Sequence, residues 1–369
     1  MRKTILITGG AGFIGSHTAD ALSRLGYKIR ILDSLEAPTH QKPQWPAYVF
    51  GKGYELIKGD VCSPQALKKA LKGVNFVYHL AAYQDQRHDF SRFFKVNTLS
   101  SALLYEVIVE NKLPVKKVVL ASTQFVYGDG QYSCAHSKKG FFPEPRALSL
   151  LRKGDWSIKC SHGAPAKFLP FQEDQKLTPT NSYGLSKQAL ENLSLRFGKT
   201  YNIPTTILRY SIVQGPRQSP HNLYSGAMRI FASQALAKVP LTVYEDGLET
   251  RDFVNIEDVV RANLLVLKNP KTNFEIFNVG GGKGYKVLDF AKLVKKMSKS
   301  TSPIIIGAFR RTDTRHAVSD ISKLKKLGWT PRRDTTYSIK TYLDWFLKSG
   351  FDKKLHSKDL IKLQEGIKS

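Results

Sequence analysis

The chain has 369 residues and a formal charge of +27, from 57 Lys and Arg against 30 Asp and Glu. Hydrophobic residues are 41% and charged residues 24%, a globular balance that excludes a disordered or fibrous chain, and the length suggests two domains. No run approaches the ~18 apolar residues of a membrane span, the apolar run after Met1 is too short for a secretory signal, and three cysteines make no disulfide framework, so a cytoplasmic protein is expected.

Residues 3–8 read as a buried strand, followed by a glycine-rich turn and a helix to about Leu25. Residues 27–32 read as a second strand ending at Asp33, and Leu56-Ile57 suggest a third. Ser63-Pro64 then opens a short helix as N-cap and first helical residue. Strands at 74–80 and 117–121 flank a long helix near 92–112. Residues 129–170 carry little periodicity and much Ser, Gly, Pro and Lys, as an inserted excursion would. A helix over 183–202 and a strand over 204–209 follow. Strands alternating with helices imply α/β architecture, a doubly wound parallel sheet covered on both faces. Beyond Gly215-Pro216 the pattern turns mixed, with helices near 224–237, 256–268, 286–298 and 335–348 and short strands near 241–244, 274–279 and 303–306. The expected division is a first domain over 1–210, to which 254–275 returns, and a smaller mixed α/β domain over 211–369.

Chemistry concentrates at three places. In Thr8-Gly9-Gly10-Ala11-Gly12-Phe13-Ile14-Gly15, Gly9 permits a tight turn, Gly12 lets backbone approach a pyrophosphate, and Gly15 allows close helix packing. The following helix N-terminus offers free N–H groups to that pyrophosphate. Asp33, at the end of the second strand, suits ribose hydroxyls and repels a 2′-phosphate, which favours NAD over NADP. Gly9, Gly12, Phe13, Ile14, Gly15 and Asp33 are therefore expected cofactor contacts. Tyr183 and Lys187, four apart, share one helix face. Lowering a tyrosine from its ordinary ~10 to ~7 needs roughly 4 kcal/mol, which a nearby ammonium and a positive nicotinamide could supply. Thr123, with Ser122 in reserve, puts a hydroxyl at the carboxyl end of a strand, where open α/β sheets place ligands.

Together these segments resemble the extended short-chain dehydrogenase/reductase family, the NAD-dependent nucleotide-sugar epimerases and dehydratases. The resemblance extends to Gly59-Asp60-Val61, His79-Leu-Ala-Ala82, Val96-Asn97, Gly215-Pro-Arg-Gln218 and Arg251-Asp-Phe-Val254. It implies a Rossmann-type sheet with a smaller substrate domain. It implies that Asp60 and Val61 contact adenine, that Leu80, Ala81 and Ala82 line the nicotinamide side, and that Asn97 shapes the cofactor site. Arg251 would grip a diphosphate, helped by Arg217 and Asn222, with Thr123, Tyr183 and Lys187 as the catalytic set. Within the family the chain looks like the dTDP-L-rhamnose 4-epimerase type. That type shares the insertion after Val-Tyr-Gly, a segment like Gly215–Ser233, Glu245-Asp246-Gly247 and a match to Asp258–Asn263. The implied reaction is epimerisation at C4 of a nucleotide-linked hexose, through a 4-keto sugar, in a homodimer formed by the long helix near 92–112 and the helix after Tyr183.

Two departures stand out. Dehydratases of this kind carry Asp-Glu after the catalytic Thr; Gln124 and Phe125 stand there and cannot exchange a proton usefully. Ile212 stands where relatives place an amide against the sugar nucleotide. Cys134-x-His136 and Cys160-x-His162 have zinc-ligand chemistry, but their spacing is tighter than usual, so unliganded polar loops and no metal are expected. Residues 281–369 hold 21 Lys and Arg against 8 Asp and Glu. Because these lie along helix-like segments rather than in one run, a solvated basic surface is expected instead of a nucleic-acid site.

Overall fold

The computed structural model describes residues 2–85, 88–220 and 226–349, with Lys138 and Lys139 described by backbone alone. The chain enters through β1 (Thr4–Thr8), whose Ile5, Leu6 and Ile7 are buried on both faces, as a central parallel strand requires. Then come α1 (Phe13–Arg24), β2 (Lys28–Asp33), β3 (Glu55–Lys58) and α2 (Pro64–Leu71). The Ser63 side chain caps α2 by accepting from Ala66 N, and Pro64 fills the first turn, where it forfeits no hydrogen bond. After β4 (Phe76–His79) the expected long helix is broken into α3 (Phe90–Phe93), a π-helical turn (Phe94–Leu99) and α4 (Ser100–Glu110). β5 (Lys117–Thr123) is buried along its whole length.

The insertion has more structure than its sequence pattern suggests. It holds β6 (Tyr132–Cys134), β7 (Ser137–Phe141), α5 (Leu148–Arg152) and β8 (Lys167–Phe168), with the three strands paired in the order β7-β6-β8. Strands of two to five residues are too short to show a period of two. The chain returns through α6 (Ser182–Thr200) and β9 (Thr205–Tyr210).

The remainder runs through β10 (Ile212–Gln214), α7 (Ala227–Ala237), β11 (Leu241–Tyr244), β12 (Thr250–Asn255), α8 (Ile256–Lys268) and β13 (Glu275–Val279). It ends with β14 (Gly284–Lys286), α9 (Val287–Met297), β15 (Ile304–Ala308), β16 (His316–Ala317), α10 (Ser322–Lys325) and α11 (Thr335–Lys348). β13 does not stay with its neighbours in sequence: it pairs with β9 and completes a seven-stranded parallel sheet in the order β13-β9-β5-β4-β1-β2-β3. α8 packs against α1 on one face of that sheet, where Asn263 accepts from the buried Tyr78 and Tyr210 hydroxyls. β10, β12, β14 and β16 form a small mixed sheet, and α7, α9 and α11 enclose a second core around Phe231, Phe290 and Phe346.

Strand order reverses between β1 and β4, and connections leave in opposite directions there. The carboxyl ends of the strands open into a crevice, the usual ligand position in such sheets. A cleft of about 1760 Å³ starts there and continues between the sheet and the second core.

Candidate active site

The glycine turn is as tight as its composition implies. Gly9 has φ +67°, and a Cβ there would lie 2.7 Å from Ala81 N; a Cβ on Gly15 would lie 2.3 Å from the Gly9 carbonyl. Gly15 thus packs on the turn itself. α1 begins at Gly12 with no side-chain cap, so its first N–H groups face the cleft, a ready anion site. Asp33 Oδ2 accepts from Ala11 N at 2.9 Å and Oδ1 from Leu35 N at 3.0 Å. Each oxygen keeps a lone pair for a further donor from the cleft. His40, which the sequence did not single out, lies 3.7 Å from Asp33 and also lines the cleft. Burial lowers its pKa, offset in part by the Asp33 charge. Phe13, Ile14, Asp60, Val61, Leu80, Ala81 and Ala82 are all on the cleft wall. These residues fit a dinucleotide: an uncapped helix end for the phosphates, a carboxylate for the ribose, and apolar walls for the rings.

Asn97 is placed differently from the expected cofactor contact. It is fully buried inside the π-helical turn and is not on the cleft wall. Its Oδ1 accepts from Tyr83 N at 2.8 Å, and its Nδ2 donates to Tyr83 O and to Ser186 Oγ. It ties the loop after β4 to α6, and so positions the helix that carries Tyr183.

Thr123 ends β5, and Tyr183 and Lys187 face it from the first turns of α6. Asn181 caps that helix by accepting from Gly184 N at 2.9 Å. A Cβ on Gly184 would sit 2.5 Å from the Phe125 carbonyl, so glycine lets α6 come close to the end of β5. Thr123, Tyr183 and Lys187 all line the cleft. Lys187 is buried and donates to the Ala121 carbonyl at 2.9 Å. Burial pulls its pKa down to about 7, against the opposing Glu191 charge. Burial pushes the Tyr183 phenol up to about 12, although a hydrogen bond with Thr123 works the other way. The protein alone therefore does the reverse of the lowering expected for Tyr183: desolvation outweighs the Thr123 hydrogen bond.

Ser122, the reserve hydroxyl, donates to Glu191 Oε1 at 2.5 Å and is committed there. Glu191, one turn beyond Lys187, makes a two-point pair with Arg209 at 2.9 and 2.7 Å, wholly buried. Arg209 also donates to the Tyr127 hydroxyl, which donates to Asn278. Of this network the sequence carries one sign, the four-residue spacing of Tyr183, Lys187 and Glu191. His79 lies 2.9 Å from Thr8 Oγ1 and 3.0 Å from Ser100 Oγ, and burial drives its pKa down to about 3. It braces the strand ends as a neutral ring.

At the far end, Arg251 lines the cleft and donates to the Thr250 and Arg315 carbonyls. Among the described residues it has no carboxylate within ion-pair distance, whereas Arg315 is engaged by Glu245 and Asp246. Arg217 lies away from the expected diphosphate contact. Its guanidinium bonds Asp20 at 2.8 Å, stacks over the Tyr48 ring and is not on the cleft wall. Its φ of +67° turns the backbone at Gly215–Gln218 so that the side chain runs along α1. Buried Arg229 of α7 and Arg310 stand on the cleft wall instead. Asn222 lies outside the described residues. Gln124 is buried off the cleft wall, and both its amide atoms lack a partner; Phe125 lines the cleft and meets the Tyr183 ring edge-on.

The strand order, the crossing point and the glycine turn place the chain among the doubly wound α/β proteins that bind dinucleotides. Comparison with known proteins narrows this. Residues 5–146 and 157–280 match the NAD dependent epimerase/dehydratase family, and the chain belongs to that family, whose cofactor is NAD. It is 31% identical over 350 residues to a dTDP-L-rhamnose 4-epimerase of Burkholderia thailandensis, covering 93% of this chain and 94% of that one. Among solved structures, the UDP-glucuronic acid 4-epimerase of Bacillus cereus with UDP-glucuronic acid and NAD superposes with TM-score 0.77 at 26% identity, covering 94% and 99% of the two chains. The UDP-glucose 4-epimerase of Thermotoga maritima with UDP-glucose gives 0.74 at 27% identity, with the same coverage.

Proposed function

We propose that the protein inverts C4 of a nucleotide-linked hexose or deoxyhexose. The observation that carries this reading is the Thr123–Tyr183–Lys187 set on the cleft wall, opposite the glycine turn and with no acid at 124 or 125. Tyr183 takes the proton of the 4-hydroxyl, and Thr123 holds the same oxygen by a hydrogen bond. Lys187 supplies a positive charge one turn along α6 to favour the phenolate. NAD, which the glycine turn Gly9–Gly15 and Asp33 would hold, would supply reversible hydride transfer at C4, so that return to the other face of the sugar leaves no net oxidation. Tyr183 then gives its proton back. Arg251, joined by Arg229 rather than Arg217, anchors the diphosphate, because a guanidinium fork matches phosphate oxygens. The 31% identity to a 4-epimerase and the likeness to two solved 4-epimerases support the choice of carbon. We also infer a homodimer through the π-helical turn, α4 and α6, where Phe94 and Leu99 of the turn and Leu185 of α6 are exposed.

The test is incubation of the pure protein, without added cofactor, with a panel of nucleotide sugars. An isomer of unchanged mass without net NADH is expected. Loss of water or carbon dioxide, or consumption of external NAD(P)H, would move the reaction to another chemistry on this fold. Tyr183→Phe should lower turnover by at least about a hundredfold, the lower end for losing a general base, while NAD stays bound. Turnover close to the parent's would refute the assignment.

A further inference from the structure

The insertion brings together four residues that the catalytic reading does not use. Cys134 ends β6, and His136 sits in the two-residue turn before β7. Cys160 and His162 lie in a second reverse turn, closed by Cys160 N donating to Ala164 O at 2.9 Å and Gly163 N donating to Cys160 O at 2.8 Å. Gly163, at φ +76°, takes the left-handed position this turn needs. Each turn offers a cysteine and, two residues on, a histidine. The two turns face one another.

Cys134 Sγ lies 3.6 Å from His162 Nδ1, and Cys160 Sγ lies 3.9 Å from the same atom. The three donor atoms lie within 4.8 Å of one another. With Zn–S near 2.3 Å and Zn–N near 2.0–2.1 Å, a tetrahedral ion would put sulfur and nitrogen about 3.6 Å apart. The His136 and His162 ring centres are 5.4 Å apart. Two imidazoles on one tetrahedral ion would stand about 5 Å apart. Both thiols are buried while both imidazoles are exposed, so the sulfurs form the inner side of the site. The insertion also has little apolar core of its own: Tyr132, Leu151 and Ile158 are its buried hydrophobic side chains besides the two cysteines. A segment this small ordinarily needs a cross-link or a metal to hold a shape.

We propose that Cys134, His136, Cys160 and His162 hold one tetrahedral zinc ion, and that this ion fixes the insertion against the substrate end of the cleft. Two thiols and two neutral imidazoles bind Zn²⁺ with release of two protons, and nothing is oxidised or reduced. A mixed sulfur–nitrogen tetrahedron selects zinc over magnesium or calcium. The link to the cleft is direct. Arg146 of the insertion pairs with buried Glu245 at 2.7 Å and donates to the Asp313 carbonyl at 2.7 Å. Trp156 packs on Phe309 with ring centres 5.5 Å apart, and Asp129 accepts from Arg315 N at 2.9 Å. Phe309, Arg310, Thr312 and Asp313 are on the cleft wall.

The experiment is elemental analysis of the full-length protein purified without chelators, followed by cobalt exchange. About one zinc per chain is expected, and Co²⁺ should give the intense visible bands of tetrahedral thiolate coordination. Cys160→Ser and His162→Ala should lower metal content at least tenfold, while Cys62→Ser, far from the site, should keep it. If the variants do not fold, titrating the reduced parent chain with Co²⁺ alone still decides. Less than a tenth of an equivalent of zinc with no cobalt uptake would overturn the proposal. So would a Cys134–Cys160 disulfide in the native protein, seen by mass spectrometry. None of these readouts depends on the sugar reaction, so the proposal can fail or stand apart from the proposed function.

Discussion

Asp33 is one carboxylate with two duties. It holds Ala11 and Leu35 through their N–H groups, and it faces the cleft where a ribose would lie. Asp33→Asn keeps the shape and removes the charge. Losing a charge-assisted hydrogen bond worth roughly 1.5–3 kcal/mol should weaken NAD binding at least about tenfold and narrow the preference over NADP, measurable by calorimetry with both. Unchanged affinity for NAD would place the ribose elsewhere. His79 is a second residue with a readable consequence. Its folded pKa of about 3 lies below the ordinary 6.5 because burial disfavours the charged ring. Between those values the unfolded chain takes up a proton that the folded chain refuses. This group's contribution is therefore present above pH 6.5 and is lost as pH falls toward 3, by up to about 1.4 kcal/mol per unit. Urea unfolding at pH 7 and pH 5 should show a smaller acid loss in His79→Gln than in the parent. Equal losses would mean that His79 protonates in place.

Elements explain why some of the site was readable and some was not. The glycine turn, Asp33 and the Tyr183/Lys187 pair are local patterns, set by turn strain and helix spacing, and each lies on the cleft wall. Strands β1, β2, β4, β5 and β9 were legible because burial on both faces makes short apolar runs. The π-helical turn was not legible: its extra residue per turn is stabilised by Asn97 reaching Tyr83 and Ser186, partners far away in sequence. The placement of Arg217 off the cleft wall was equally hidden, since it depends on a positive φ at Arg217 and on Asp20 across α1. The same holds for the pairing of α6 with β9 through Glu191 and Arg209. Glu191→Ala leaves a buried guanidinium and the Ser122 hydroxyl without their acceptor. It should cost about 3–5 kcal/mol of stability, seen as a clear fall in Tm, whereas Tyr183→Phe should leave Tm nearly unchanged. Similar Tm values for both variants would mean that the pair contributes little.

For the whole molecule, the question is what the exposed apolar side chains meet. No helix of the described residues is long and apolar enough to cross a membrane. The proposed homodimer would cover Leu99 and Leu185, which are exposed by 47% and 44%. Leu99→Glu with Leu185→Glu should convert a dimer to a monomer in sedimentation, and an unchanged mass would refute that interface.

The edge strand β13 has a consequence for how the polypeptide is made. The sheet that holds the glycine turn lacks its last strand until Val279 has been synthesised, and α8, which carries Asn263 to the Tyr78 and Tyr210 hydroxyls, also comes late. At roughly 5–20 residues per second, the stretch from Ser211 to Val279 occupies the ribosome for several seconds after β9 has been synthesised. During that interval β9 presents an open hydrogen-bonding edge, and two tyrosines wait for their acceptors. The nascent chain is most exposed to chaperones, and to mispairing with a neighbour, while the segments that complete the sheet are still being translated.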